Sequence, residues 1–527
     1  MNLSRLLVFS FAAALVSWLS TDELKAQDFP TDDPIIRAIW AQGMEEGSQV
    51  ERLAQVLMDS IGPRLSGSPG QQSSIEWAMS MYENWDVPVR AEQYGTWRGW
   101  DRGYTHIDLV APRKRTLNGT MLAWSPGTDG PVEGEVVAMP LFGSAAELEA
   151  WLPNVAGKFV ALSHAEPTCR APESWAALAT AESRSRMQAL QQRVLGEWNA
   201  SIGRAGGPGL IIGGIRDAGA VARRIEDAGA VGIIMALWSN GWGANKIFDA
   251  GTERIPSIHL SCEDYGLVHR LASNDQGPVL RLDAEAEFLG EVPVFNVIGE
   301  IRGTELPDEY VLLNAHFDSW DGASGATDNA TGTIMMMEAM RILKEVYPRP
   351  KRTILVAHWG GEEQGTYGSL AFAEDHPEVI AGLQAGFNQD NGTWRIEAIK
   401  MQDFPEAAEN WRRWVAPIPR EITQHIELDF EVVPESGDSD ESSFICRGAP
   451  GFRLLSPYPD YRQYMWHTDL DTYDKIVFDD LRNNATLVAM LAYMASEDPI
   501  RVSNARATLS GGQQTPACRT LQRSSGG

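Results

Sequence analysis

The hydrophobic pattern divides the chain into parts. From Pro293 onward, four short and mostly apolar runs recur: Tyr310–Ala315, Arg352–His358, Leu383–Gln389 and Phe452–Leu455. Runs of this length, each closed by polar turn residues, predict strands buried on both faces of a mainly parallel sheet. Thr331–Val346 and Asp479–Glu497 carry helical periodicity, which predicts helices packed on that sheet. Met335, Met336, Met337 and Met340 in the first of these helices are expected to be core packing.

Upstream, Ile36, Trp40, Val50, Leu53, Val56 and Leu57 recur at helical intervals. The helical pattern breaks at the turn-rich loop Gly62–Gly70 and resumes from Gln71 to Trp85. These helices are expected to cover the sheet. The stretch from Leu122 to Phe288 reads differently. Its short apolar runs (Glu135–Met139, Lys158–Leu162, Gly209–Ile212, Val231–Ala236, Val279–Leu282) alternate with Gly- and Pro-containing turns. Between Pro172 and Gly203 lies a long helical stretch in which Met187, Leu190, Val194 and Trp198 share a face, as a packing stripe would. Gly213 and Gly214 lack the spacing of a nucleotide-binding fingerprint.

Length and charge narrow the function. A chain of 527 residues exceeds one ordinary core, so two to three folded units are expected. The net charge of −27 argues against binding a phosphate backbone, which needs Lys and Arg. The start, MNLSRLLVFSFAAALVSWLS, places Arg5 before an apolar run too short to span a bilayer comfortably. It predicts a signal peptide over residues 1–26, hence a secreted or periplasmic protein with no stable membrane insertion. Cys169, Cys262, Cys446 and Cys518 lack metal-type spacing, and any bridge among them is expected to be incidental. Residues 501–527 read as a disordered tail.

The candidate chemistry follows from where strands end. In open α/β sheets, functional groups gather beyond the carboxyl ends of the strands. His316 and Asp318 follow the first strand, Glu362 and Glu363 the second, and Asp390 the third. The fourth leads through SPYPDYRQYMWHTDLDT to His467, while Asp328 enters from the Gly-rich loop after the first. Singly, each has a plain reading as a cap, a turn or a solvated helix start. Together, at consecutive strand ends, they form a mixed N/O set that suits zinc. His106, His164, His259, His269, His376 and His425 have no such company, and His358 lies within a strand.

NAHFDSWDGASGATDNATG, WGGEEQGTYGS, QDNGT and WHTDLDT, in this order, resemble the co-catalytic di-zinc exopeptidases. That family includes the secreted leucyl aminopeptidases and plasma glutamate carboxypeptidase (carboxypeptidase Q). GPRLSGSPG and NVIGEIRG also match, so the resemblance spans most of the chain after the signal. The middle region is similar to the protease-associated domain, through AGAVGIIM followed by IPSIHLS.

The resemblance implies an α/β fold with a mainly parallel mixed sheet flanked by helices, of the zinc-exopeptidase, phosphorylase/hydrolase-like type. A smaller β-rich α+β domain would be inserted. The expected division is signal 1–26, first catalytic part 27–121, insertion 122–288, catalytic domain 289–500 and tail 501–527.

It also implies two zinc ions, with Asp328 bridging them. His316 and Asp390 would complete one site, Glu363 and His467 the other. Glu362 would be the general base acting on a hydroxide shared by the two metals, and Asp318 would orient His316 through its second ring nitrogen. Relatives place a tyrosine beside the last histidine, where this chain has Trp466, so Tyr464 or Tyr461 is the candidate oxyanion donor. A cis peptide would follow Asp328. Arg395 and the loop Ser436–Phe444, with Asp440, are candidates for the substrate pocket, and Arg395 reads equally as surface.

The expected activity is removal of terminal residues from short peptides, or cleavage of dipeptides. No nucleic-acid partner is expected, and a homodimer stays open. The alternatives are an inactive, receptor-like homologue and a mono-zinc glutaminyl cyclase-like acyltransferase. Which peptide end is cut stays open, with a slight lean toward the carboxypeptidase branch.

Overall fold

The computed structural model describes residues 29–45, 47–206, 215–402, 404–430, 439–507 and 518–521. The signal-peptide expectation, the apolar run at Gly209–Ile212 and most of the expected tail lie outside these residues.

The four predicted strands form the centre of the sheet. Arg352–Trp359, Leu306–His316, Leu383–Asn388 and Gly451–Leu455 lie side by side and parallel in that order. Beyond the last come the short strands Ala398–Lys400 and Glu427–Asp429. Alternation along a strand sends successive side chains to opposite faces. Val311, Leu313 and Ala315 thus meet Ile334, Met337 and Met340 of helix Thr331–Val346, within a core that includes helices Phe478–Glu497 and Pro34–Met44. Tyr310 and Leu312 face Phe372 and Val379 on the other side. All four methionines of the 331–346 helix are fully buried, in agreement with their expected packing role.

A long antiparallel ribbon connects this unit to a second one. Its strands, Val89–Ala111 and Val279–Ile301, pair from Val89 opposite Gly299 to Ala111 opposite Val279. The inner end of the second strand joins Arg352–Trp359, and its outer end joins Val132–Ala138. From there the sheet continues in parallel through Phe159–Ala161, Gly232–Met235 and Ser257–Leu260. The core of this inserted lobe recruits Trp100, Ile107 and Leu109 from the ribbon. The boundary expected at 288 therefore falls inside the continuous strand Val279–Ile301, whereas the one at 122 follows the short strand Gly119–Met121.

Two expectations are corrected. The predicted stripe along 172–203 packs only at its end: in helix Ala181–Arg204, Trp198, Ser201 and Ile202 are buried, whereas Met187, Leu190 and Val194 are half-buried. The cysteines are all paired, as Cys169–Cys262 and Cys446–Cys518. The second bond fixes part of the segment read as a disordered tail, and Val502 in the same segment is buried. Spacing along the chain could not reveal either pairing, because the partners lie 93 and 72 residues apart.

Candidate active site

His316 closes its strand with its ring fully buried. Its Nδ1 lies 3.0 Å from the carbonyl oxygen of Asp318, so that nitrogen carries the proton and donates it. Nε2 is thereby left as a lone-pair donor, as a metal-binding histidine requires. It lies 3.3 Å from Asp328 Oδ1 and 3.2 Å from Asp390 Oδ1.

The expected role of the Asp318 carboxylate changes. Its Oδ1 is 3.7 Å from the ring, and the main-chain carbonyl takes the proton instead. The carboxylate accepts the main-chain N–H groups of Glu362 at 3.1 Å and Glu363 at 3.3 Å. Asp318 therefore fixes the turn that presents both glutamates.

Asp328 sits on the Gly-rich loop, and the peptide bond to Asn329 is cis, as the resemblance implies. Asp471, from the WHTDLDT segment, accepts the N–H and hydroxyl of Thr327 and the N–H of Asp328, all between 3.0 and 3.1 Å. Burial is the main cause pushing the Asp471 carboxyl up to about 7. Arg64, from GPRLSGSPG, lies fully buried beneath the same loop. It donates to the carbonyls of Phe317, Gly62, Ser324 and Gly325. Burial lowers its guanidinium to about 10, against the opposing pull of Asp318 and Asp471.

His467 faces the other oxygen of Asp328, with Nε2 3.6 Å from Oδ2 and 3.0 Å from Glu363 Oε2. Its backbone is left-handed, with φ of 55°. The inserted lobe holds it there. Ile247 N–H donates to the His467 carbonyl at 2.8 Å, and Lys246 Nζ donates to that of Trp466 at 2.8 Å. Asn245 bonds Asp469 through main chain and side chain, and Ser239 bonds the carbonyl of Gln463. Phe248 and Trp466 flank the imidazole, with ring centres 4.9 and 4.0 Å away.

The six expected residues Asp328, Glu362, Glu363, Asp390, His316 and His467 are thus brought together. Their donor atoms form two groups, His316–Asp328–Asp390 and Asp328–Glu363–His467, each within 4.8 Å. Asp328 serves both, one oxygen to each. Glu363 Oε1 and His467 Nδ1 are buried with no hydrogen-bond partner. Arg453 lies 3.6 Å from Asp390 Oδ2 and offsets part of the negative charge. Buried carboxylates and imidazoles in this arrangement fit divalent zinc, which takes N and O donors.

Burial raises the Glu362 carboxyl well above the ordinary range. His316 opposes that shift, and Asp390 and Asp440 add to it.

A cleft of about 510 Å³ opens over these groups and is lined also by Gln364, Asn391, Arg453, Tyr461, Arg462, Trp466 and Arg519. Of the two tyrosine candidates, Tyr461 lines the cleft, whereas Tyr464 packs against Gly241 of the inserted lobe. Asp440 is fully buried and outside that lining. Arg395 pairs with Asp480 at 2.8 Å, away from the cleft. His358 is buried against Tyr82, whose hydroxyl lies 2.7 Å from its Nε2. Arg64, Asp471 and the cleft arginines were not foreseen. Arg64, Arg462 and Asp471 fell inside stretches singled out above, GPRLSGSPG and SPYPDYRQYMWHTDLDT.

A parallel-centred sheet with paired N/O clusters at its strand ends defines a class, the metallo-exopeptidases. The chain is a metallo-exopeptidase, and its residues 296–492 match the family model of peptidase family M28. It is 26% identical to carboxypeptidase Q of Xenopus laevis over 438 residues, 82% of each chain. The fold is shared with a peptidase M28 precursor from Shewanella amazonensis, at TM-score 0.64 and 23% identity. That match covers 90% of this chain and 98% of the other. A zinc aminopeptidase from Bacillus subtilis aligns at TM-score 0.53 and 17% identity, over 87% and 97%.

Proposed function

We propose that the protein is an exported di-zinc exopeptidase that removes terminal residues from short peptides or splits dipeptides. The observation that carries this reading is the sharing of Asp328, with Oδ1 beside His316 and Oδ2 beside His467. His316, Asp328 and Asp390 would hold one zinc, and Asp328, Glu363 and His467 the other. When bound, zinc polarises a carbonyl and makes water acidic enough to attack at neutral pH.

The chain's own residues divide the remaining work. Glu362, fixed by the Asp318 bond to its N–H, accepts the proton of the attacking water. It then delivers that proton to the peptide nitrogen as the C–N bond breaks. Its burial supports this, since desolvation raises the proton affinity of that carboxyl, as a group that takes up a proton requires. Tyr461, at the cleft wall, is the donor assigned to the oxygen that becomes negative.

Export is supported by the two disulfides, which persist in oxidising compartments. Among the described residues, no helix is long and apolar enough to cross a membrane.

Glu362→Gln tests the mechanism. With zinc content retained, kcat for terminal-residue hydrolysis should fall roughly 10²- to 10⁴-fold. Near wild-type turnover with a full complement of metal would refute the role given to Glu362.

A further inference from the structure

The cleft holds more positive charge than the chemistry above uses. Its four carboxylates are all assigned, Asp328, Glu363 and Asp390 to metal and Glu362 to proton transfer. Among the described residues, no lining carboxylate is left to receive a substrate ammonium. The remaining charged lining residues are Arg453, Arg462 and Arg519. Arg453 is engaged by Asp390 at 3.6 Å and Glu441 at 3.7 Å. Arg462 spreads over the ring of Trp466, 4.1 Å from its centre, and keeps its charge available. Arg519 is exposed at the rim.

Arg519 is placed there by a short C-terminal segment with several anchors. Cys518 is bonded to Cys446. Arg447 donates to the Arg519 carbonyl at 3.4 Å, and Leu521 N–H donates to Glu374 at 3.0 Å. The Leu521 side chain packs against the cluster of Tyr94, Val294 and Ala371. The guanidinium consequently lies over Gly365, with Nη2 3.1 Å from where a β-carbon at that position would stand. Gly365 is two residues beyond Glu363, and its N–H bonds the Glu362 carbonyl at 2.7 Å. The guanidinium therefore lies beside the turn that carries Glu362 and Glu363.

We propose that Arg519, pinned by the Cys446–Cys518 bond, is a specificity-determining residue that binds the free carboxylate of the substrate. A planar guanidinium matches a carboxylate in two parallel hydrogen bonds. Arg462 on the His467-bearing loop supplies supporting positive charge. The favoured substrates are then dipeptides and short peptides cut next to a free C-terminus. This assignment rests on the exopeptidase reading above and adds the choice of end.

The test compares a free dipeptide with its C-terminal amide, using zinc-loaded full-length protein. Wild type should favour the acid in kcat/KM, and Arg519→Gln should reduce the acid-to-amide ratio at least tenfold, mainly through KM. Arg519→Lys, which keeps the charge and loses the fork, should recover part of the ratio. Cys518→Ser should reproduce the KM rise for the acid with zinc content unchanged. An unchanged ratio in Arg519→Gln, or a wild type that prefers the amide, overturns the assignment while leaving the exopeptidase reading intact. An unchanged KM in Cys518→Ser overturns the role of the disulfide. A wild type that cleaves neither compound, nor any N-blocked or unblocked short peptide, refutes the exopeptidase reading itself.

Discussion

His259 offers a sharp test of how the inserted lobe serves the metal site. It is fully buried, and Leu237 N–H points at its Nε2 from 2.7 Å. Nδ1 lies 3.1 Å from the Asn245 side-chain oxygen. The ring is therefore neutral, donating from Nδ1 and accepting at Nε2, and a second proton would face the Leu237 N–H. Burial, helped by the nearby charge of Lys246, lowers its pKa from 6.5 to about 3. The unfolded chain thus takes up a proton near pH 6.5, which the folded chain refuses until about 3. The stability this group contributes is complete above pH 6.5 and is lost as the pH falls toward 3.

The loss should approach about 1.4 kcal/mol per pH unit, or roughly 3 kcal/mol by pH 4.5. Because Asn245 also binds Asp469, two residues from His467, the same acidification should loosen the loop that carries His467. His259→Gln removes the titration while keeping a donor and an acceptor. Urea unfolding of both proteins at pH 7, 6, 5 and 4.5 should show the wild-type advantage shrinking with that slope. His358, also depressed to about 3 by burial, is common to both proteins and cancels in the difference. A wild-type-minus-variant difference that stays flat from pH 7 to 4.5 would refute the reasoning.

Two further outcomes are expected. Asp471→Ala strips the acceptor from the main-chain N–H groups of Thr327 and Asp328, at about 1–3 kcal/mol each, and should lower both the melting temperature and zinc retention. Zinc per chain measured after dialysis checks it, and full retention would count against the role given to Asp471. Metal removal by a chelator should destabilise the wild type by about 3 kcal/mol per zinc site, roughly 5 kcal/mol for two, relative to protein with zinc at a hundredfold excess over its dissociation constant. Restoration should require about two zinc ions per chain, which calorimetry or elemental analysis would show.

The parts legible in the sequence share a physical cause. Strands 306–316 and 352–359 are buried on both faces, so their composition alone marked them, and the rule that ligands gather at strand ends then grouped His316, Glu362, Glu363 and Asp390. Asp328 and His467 joined that set from the loops after the first and fourth strands, and the resemblance then gave each its role. What escaped were contacts between distant residues with no periodic signature. Asp471 grips a loop 143 residues upstream, and Arg64 bonds carbonyls more than 250 residues away. The Asp318 carboxylate was expected at the imidazole because its spacing allowed it, yet the nearer main-chain carbonyl took that proton. Arg519 was hidden because a polar tail reads as disordered until its disulfide partner is known.

The long ribbon has a consequence for the order of assembly. Its two strands bracket the whole inserted lobe, so Val89 must find Gly299 across roughly 210 residues of chain. Closing so long a loop in an unfolded chain costs entropy with nothing gained until the strands meet. Once the inserted lobe has formed, Ala111 already lies opposite Val279, and the ribbon can zip inward from that end. The topology favours a sequence in which the lobe forms first, the ribbon closes next, and the sheet that carries the metal ligands is completed last.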